Sequence, residues 1–211
     1  MGQLVAESIR IYGHRFWAVL PVGLAPAALD QILTGQSRLT WLIGMLTFGA
    51  VFMTLAYVRA ATIVLDLRPD RGRLARAVGI GVVAFLPFPL LLLAFVLPGV
   101  AWLALVGLAV PVALVDGTGV RASLRRAVRL ARADYVHALG SLSTLVIVYF
   151  LSRTVLVLLL RGQGDQTERI ALFLGDLALS PLLFLGGALL YVDQSARLHE
   201  APARRAAPAA N

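Results

Sequence analysis

The chain has 211 residues, of which 59% are hydrophobic and 14% charged, and its mean hydropathy is +0.84. A soluble domain of this size is about 45–50% apolar and about 25% charged, so part of the surface must face lipid rather than water. All 19 basic residues are arginine, the formal charge is +8, and the lack of cysteine excludes disulfides, thiolate metal sites and cysteine nucleophiles.

Six apolar segments are long enough to cross the bilayer core, which takes about 20 helical residues. The first is interpreted as a retained span rather than a cleaved signal peptide, because the residues before it are amphipathic and include Glu7. The fourth is short and follows the third after only Pro98 and Gly99, so a re-entrant hairpin is the alternative for this pair. The predicted spans are 16–33, 41–65, 78–97, 100–115, 139–160 and 170–192.

The arginines outside the spans are distributed unevenly. Fourteen precede span one, follow span six, or lie between spans two and three or four and five, whereas three lie on the opposite side. Because positive charge is retained on the cytoplasmic side, this pattern predicts a multi-pass membrane protein with both termini in the cytoplasm. The expected partners of the positive charge are anionic lipids of the inner leaflet, not nucleic acid.

Three connecting segments on that side have amphipathic helical patterns. In residues 120–136 all five arginines share one helix face, opposite Leu124, Val128 and Leu130, which is typical of a helix whose apolar face rests on lipid. Weaker patterns begin the chain and recur at 71–78. The arginines predicted to contact lipid headgroups are Arg71, Arg76, Arg121, Arg125, Arg126, Arg129 and Arg132.

These segments also predict a repeated unit. Asp66 and Asp116 end spans two and four and lie 50 residues apart, an offset that also relates Arg76 to Arg126, and Asp193 closes span six in the same way. The chain is therefore interpreted as three copies of interfacial helix, span, span. The three aspartates are expected to cap the helices that follow them rather than to act as catalytic carboxylates.

Four charged residues lie within the predicted spans, where a charge costs at least about 2.5–3.5 kcal/mol at mid-bilayer. Arg153 in span five and Asp176 in span six are predicted to form an intramembrane polar pair, with a structural ion pair favoured over a proton or ion relay. Arg59 in span two is expected to reach the headgroups, with a contact on a substrate path as the alternative. Asp30, at the far end of span one, is expected to face water.

Prolines fall within several spans, where they indicate either broken helices that line a cavity, as in transporters, or ordinary packing. His14, His137 and His199 lack ligand spacing, and no phosphate-binding glycine loop or nucleophile elbow occurs. No catalytic, cofactor-binding or metal-binding residue is assigned, and the protein is predicted not to be an enzyme. The prolines within spans are Pro21, Pro26, Pro87, Pro89, Pro111 and Pro181.

Three segments carry a family resemblance: ESIRIYGHRFW at 7–17, VDGTGVRASLRRAVRLAR at 115–132 and YVDQSAR at 191–197. Over residues 1–198 the chain resembles the membrane domain of bacterial glycerophosphoryl diester phosphodiesterases and related stand-alone six-span proteins of unknown function. The resemblance implies a helical bundle of the cytoplasmic membrane with interfacial helices and a lipid-associated or regulatory role. Catalysis in those enzymes belongs to a separate soluble barrel, which has no counterpart in these residues, so the activity is not carried over.

The expected structure is an all-α polytopic transmembrane bundle over residues 1–198, followed by a disordered cytoplasmic tail at 199–211. The expected function is that of a non-enzymatic membrane protein with a scaffold or lipid-associated, regulatory role. The alternative is a small-solute or lipid transporter with a polar path near Arg59, Arg153 and Asp176. A cavity that reaches Arg153 and Asp176 would favour transport, and a tightly packed bundle would favour the scaffold.

Overall fold

A computed structural model describes residues 2–206, which form eight helices and, within that range, no strand. Six of the helices (α2, α3, α4, α5, α7 and α8 as far as Leu198) are long and apolar enough to span a membrane, which confirms the all-α, six-span fold class. The helices are α1 Gly2–His14, α2 Phe16–Leu33, α3 Arg38–Val64, α4 Arg71–Ala94, α5 Val96–Asp116, α6 Val120–Ala133, α7 Tyr135–Leu159 and α8 Asp165–Ala206.

Two predicted boundaries differ from the structure. The third and fourth spans have 24 and 21 residues, so α5 is not the short segment expected, and both helices have the length of a full crossing. Helix α8 continues beyond Leu198, the expected end of the membrane domain, as far as Ala206, and the expected disorder of the tail at 199–211 stays a prediction. The remainder of the predicted tail lies outside the described residues.

Three polar contacts each join the start of one span to the end of the next. They pair span one with span two, span three with span four, and span five with span six. These contacts lie at one end of the bundle, which we call the arginine-rich end because α1, α6 and most of the arginines are also there. The agreement among the three pairs supports the repeated span-pair unit. The contacts are Arg15 to Asp66 at 3.0 Å, Arg76 to the carbonyl of Gly117, and Arg197 to Asp134 at 2.9 Å.

The bundle is most densely packed in the half nearest the arginine-rich end. Helix α8 packs against α1, α2, α3, α6 and α7, and the second half of α5 is buried from Ala109 to Leu114. Helix α7 is peripheral, because it packs mainly against α8 and the first half of α5. Only 11% of its most apolar 18-residue stretch is buried. Residues from α3, α4, α5, α6 and α8 share one continuous apolar core.

The aspartates that cap helices are not the three at the span ends. Asp70 begins α4, where its Oδ1 accepts the backbone N–H of Arg73 at 2.7 Å, and Asp134 begins α7 by accepting from His137 at 3.2 Å. The expected capping role of the span-end aspartates is therefore wrong. Those three pair with arginines instead: Asp66 with Arg15, Asp116 with Arg126 at 2.7 Å, and Asp193 with Arg197 at 2.9 Å.

Helix α6 is amphipathic, but its apolar face contacts protein. Ala127, Leu130 and Ala131 are buried in the shared core, against α5 and its neighbours, while the five arginines of the helix are exposed. The expectation that this face rests on lipid is therefore corrected. At the arginine-rich end, the most buried residues of α6 therefore cover the apolar core of the bundle.

The middle copy of the predicted repeat lacks a separate interfacial helix. Residues 71–78 are the first two turns of α4, which runs unbroken from Arg71 to Phe85. By contrast, Arg15 and Asp134 have non-helical dihedral angles and separate α1 from α2 and α6 from α7. No such residue interrupts the start of α4. The amphipathic residues 71–78 therefore lengthen this helix beyond its apolar part instead of forming a separate helix.

Helices α2 and α8 approach each other closely at Gly23, whose position on α2 leaves no room for a side chain. A Cβ there would fall against the carbonyl oxygen of Leu177 in α8 and within 3.0 Å of its Cα. We expect Gly23→Ala to lower the unfolding temperature, with a free-energy cost of about 1–3 kcal/mol, because two backbones must separate. Gly79→Ala in α4 is the matched control, because nothing lies within 4 Å of its Cβ position. Thermal unfolding in detergent that showed equal melting temperatures would contradict this packing.

Candidate functional site

An ion cluster inside the bundle joins three spans. Arg153 of α7 donates through Nη1 to both carboxylate oxygens of Asp176 in α8, at 2.8 and 3.0 Å, and through Nη2 to Oδ2 of Asp30 in α2, at 2.7 Å. Tyr149, one turn before Arg153, donates its hydroxyl to Oδ1 of Asp176 at 2.7 Å. The predicted Arg153–Asp176 pair is thus brought together, and Asp30 pairs with Arg153 instead of facing water alone.

The cluster carries unequal charges. Two carboxylates face one guanidinium, so with all three groups ionised the sum is one negative charge. The side chain of Asp176 is 2% exposed, whereas those of Arg153 and Asp30 are 24% and 28% exposed. Bidentate pairing and the tyrosine hydrogen bond offset much of the cost of burying Asp176, because charge-assisted hydrogen bonds are strong in a low-dielectric region. Asp30 is the less completely bonded of the two carboxylates.

A cavity of about 380 Å³ lies beside the cluster. Asp30, Tyr149, Arg153 and Ser180 form its polar part, and the remaining lining is almost entirely aliphatic and aromatic. On α7 the lining extends from Leu142 to Arg153, about 16 Å along the helix. Apolar lining residues come from every span: Leu29, Met45, Tyr57, Phe85, Phe88, Leu92, Val100, Leu108, Val146 and Leu183 are among them.

Three of the six spans are irregular where they line this cavity. Helix α3 contains a π-helical turn at Met45–Gly49, α4 is interrupted between Phe85 and Phe88, and α5 is interrupted between Val106 and Ala109. The lining includes residues at each irregularity. Irregular backbone at membrane depth is tolerated where protein or a cavity covers it, and π-turns are frequent at functional sites.

Prolines cause two of these interruptions. Pro111 cannot donate a backbone hydrogen bond to Gly107, four residues earlier, and Pro87 and Pro89 act on α4 in the same way. At the break in α4, the indole Nε1 of Trp102 donates to the carbonyl of Ala84 at 2.8 Å. A side chain of the neighbouring span thus satisfies this carbonyl beside the break. The prolines of α2 and α8 lie within continuous helices and cause no break.

A second, smaller cavity adjoins the first at the end opposite the arginines. It measures about 300 Å³ and includes Gln36 and Arg38 of the connection between α2 and α3. Trp41 and Leu92 line both cavities, so these two side chains lie between them. The large cavity therefore extends toward the end of the bundle opposite the arginines.

Arg59 does not belong to the site. It lies on an exposed face of α3, five residues before the helix ends at the arginine-rich end, and it does not line the cavity that reaches Arg153. The structure therefore does not bring Arg59 together with Arg153 and Asp176, and the polar path near these three residues stays a prediction. The expected extension of the Arg59 guanidinium to the headgroups stays a prediction.

The structure divides the arginines that were predicted to contact headgroups into two groups. All seven are exposed, but Arg126 pairs with Asp116, and Arg76 donates to the carbonyls of Gly72 and Gly117. The other five have no carboxylate within ion-pair distance among the described residues, so their charge is available to the surroundings. These five are Arg71, Arg121, Arg125, Arg129 and Arg132.

Sequence reasoning missed Asp30, Tyr149 and the cavity itself. A usable signal was present for Asp30: it lies, like Arg153, near the end of its span that is farthest from the arginine-rich connections. With one arginine and two aspartates inside three spans, pairing of the arginine with both aspartates is a better prediction than pairing with one of them. Tyr149 precedes Arg153 by four residues and so shares its helix face, which is a weaker signal.

No family model, curated protein or solved structure matches the chain. The resemblance to the membrane domain of the glycerophosphoryl diester phosphodiesterases stays a prediction. Among residues 2–206, no group of three or more histidine, aspartate or glutamate side chains is placed to hold a metal ion. The site is therefore described by its own geometry: an apolar cavity with an ion cluster on one wall.

The ion cluster makes a prediction about stability. Arg153→Met leaves two carboxylates without their cation in a low-dielectric region, and we expect it to destabilise the protein by about 3 kcal/mol. Adding Asp30→Asn and Asp176→Asn to Arg153→Met removes both uncompensated charges and should restore most of the loss. Unfolding temperature and membrane yield measure both effects. A triple variant no more stable than Arg153→Met would show that the ion pairs are not the cause.

Proposed function

We propose that the protein is a non-enzymatic integral membrane protein that binds a lipid-like amphiphile in the cavity beside Asp30 and Arg153. The observation that carries this proposal is the joining of two surfaces in one cavity: a long apolar wall and a charged, hydrogen-bonded wall. An amphiphile has the same division between chain and headgroup. Ligand sites in proteins are typically apolar cavities of about 300–1,000 Å³ with a few placed polar groups.

The position of the cavity supports a membrane-derived ligand. Its lining comes from six candidate membrane spans, and most of the lining side chains are the aliphatic and aromatic types that accommodate an acyl chain. The expected role as a lipid-associated protein is therefore favoured over that of a pure scaffold, for which a bundle without a cavity would be enough.

A carrier for the same class of molecule is the second candidate. The irregular turns of α3, α4 and α5 meet at the cavity, and such interruptions supply the movable backbone that carriers use. Trp41 and Leu92 are placed to control access from the end opposite the arginines. Binding is common to both candidates, so it is the property to test first.

The binding proposal is tested by filling the cavity. Val146 lines it, whereas Val148, two residues along α7, does not and is 44% exposed. We expect dibromododecanol to quench the tryptophan fluorescence of the Trp17→Phe variant saturably, because Trp41, one of its two remaining tryptophans, lines the same cavity. Val146→Phe should abolish the saturable component, and Val148→Phe should retain it. Equal saturable quenching in the two phenylalanine variants would refute binding at this site.

The arginine-rich end is proposed to face the cytoplasm of a bacterial cell, with both termini inside. The positive-inside rule supports this orientation, because most arginines outside the spans lie at that end. The five unpaired arginines are proposed to contact anionic headgroups of the inner leaflet. Each is worth about 1 kcal/mol near an anionic surface, and salt screening reduces the sum.

Orientation is testable because the chain has no cysteine, so any introduced cysteine is unique. Ala75 and Ala122 are exposed at the arginine-rich end, and Gln163 is exposed in the connection between α7 and α8. In intact spheroplasts a membrane-impermeant maleimide should label Gln163→Cys and spare Ala75→Cys and Ala122→Cys, all three being labelled after lysis. External labelling at position 122 would exclude both the orientation and the inner-leaflet contacts.

A further inference from the structure

The charge of the ion cluster specifies the headgroup of the ligand. Resting on the proposed function, which places an amphiphile in the cavity, we infer that its polar group is cationic, such as a primary or quaternary ammonium. The inference adds a chemical class to a site whose shape alone accepts a chain with any headgroup.

The first argument is the unequal number of charges. Asp30 and Asp176 face the single cation of Arg153, and no other charged side chain lines the large cavity. The uncompensated negative charge lies where the dielectric constant is low and electrostatic interactions are strong. A bound cation neutralises it, whereas a bound anion adds a second excess charge.

The second argument is the order of the groups in the cluster. Asp176 is buried behind Tyr149 and Arg153, and both of its carboxylate oxygens accept hydrogen bonds. Asp30 lines the cavity, and its Oδ1 accepts no hydrogen bond from any described residue, since only Oδ2 is bonded to Arg153. The acceptor that remains free toward the cavity is therefore a carboxylate oxygen.

The third argument is the state of the guanidinium. The Nη1 and Nη2 atoms of Arg153 both donate to carboxylates, so an anionic headgroup at this guanidinium would lie close to two groups of its own sign. Trp41, Tyr57 and Tyr149 line the same cavity as Asp30, and aromatic rings attract ammonium groups.

The experiment compares three brominated dodecyl amphiphiles that differ only in the headgroup: trimethylammonium, hydroxyl and sulfate. Binding is measured by the saturable quenching of tryptophan fluorescence in the Trp17→Phe protein, in which Trp41 and Trp102 remain, reconstituted in nanodiscs of zwitterionic lipid. We expect the ammonium compound to bind at least tenfold more tightly than the sulfate. Asp30→Asn should remove this preference, and Asp30→Glu, which keeps the charge, should preserve it.

The outcomes separate this inference from the proposed function. Saturable binding of the alcohol with equal or stronger binding of the sulfate would overturn the cationic headgroup and leave the amphiphile site standing. Loss of saturable binding for all three compounds would overturn the amphiphile site itself. An unchanged ammonium preference in Asp30→Asn would also overturn the inference, and the melting temperature of each variant shows whether the comparison is made on folded protein.

Discussion

The ionic contact of Arg153 with Asp30 and Asp176 fixes the arrangement of three spans. Helix α7 is peripheral and mostly lipid-facing, so its apolar surface alone defines its position poorly. A guanidinium held by two carboxylates from α2 and α8 specifies both the depth and the rotation of α7. The close approach of α2 and α8 at Gly23 brings the two carboxylates within reach of one side chain.

The two halves of the bundle have different properties because the chain places its structural irregularities in one region. Near the arginine-rich end, α4, α5, α6 and α8 share a dense core of alanine, valine and leucine. Toward the opposite end, α3, α4 and α5 contain the π-turn and the proline-induced breaks. The cavity lies beside these irregular turns and next to the ion cluster. A densely packed half combined with a half that contains a cavity suits a protein that holds a flexible ligand.

The sequence predicted the features that depend on local composition and failed where contacts between spans decide. Apolar length alone located all six spans, and the bounds of α2 agree residue for residue. The cost of burying charge predicted the Arg153–Asp176 pair. Position places Asp30 and Arg153 near the same end of their spans, but it does not decide whether Asp30 pairs with an arginine or with water. The face of α6 was misassigned because periodicity shows that one face is apolar and cannot show whether protein or lipid covers it.

The exposed basic array of α6 and the start of α4 consists of arginine alone. A guanidinium remains protonated at every physiological pH and is not a substrate for lysine acetylation. The charge of this surface is therefore constant, and neither acidification nor the common lysine modifications can weaken its attraction to phosphate groups. In the proposed contact with anionic headgroups, this attraction varies with ionic strength and with the lipid composition of the leaflet.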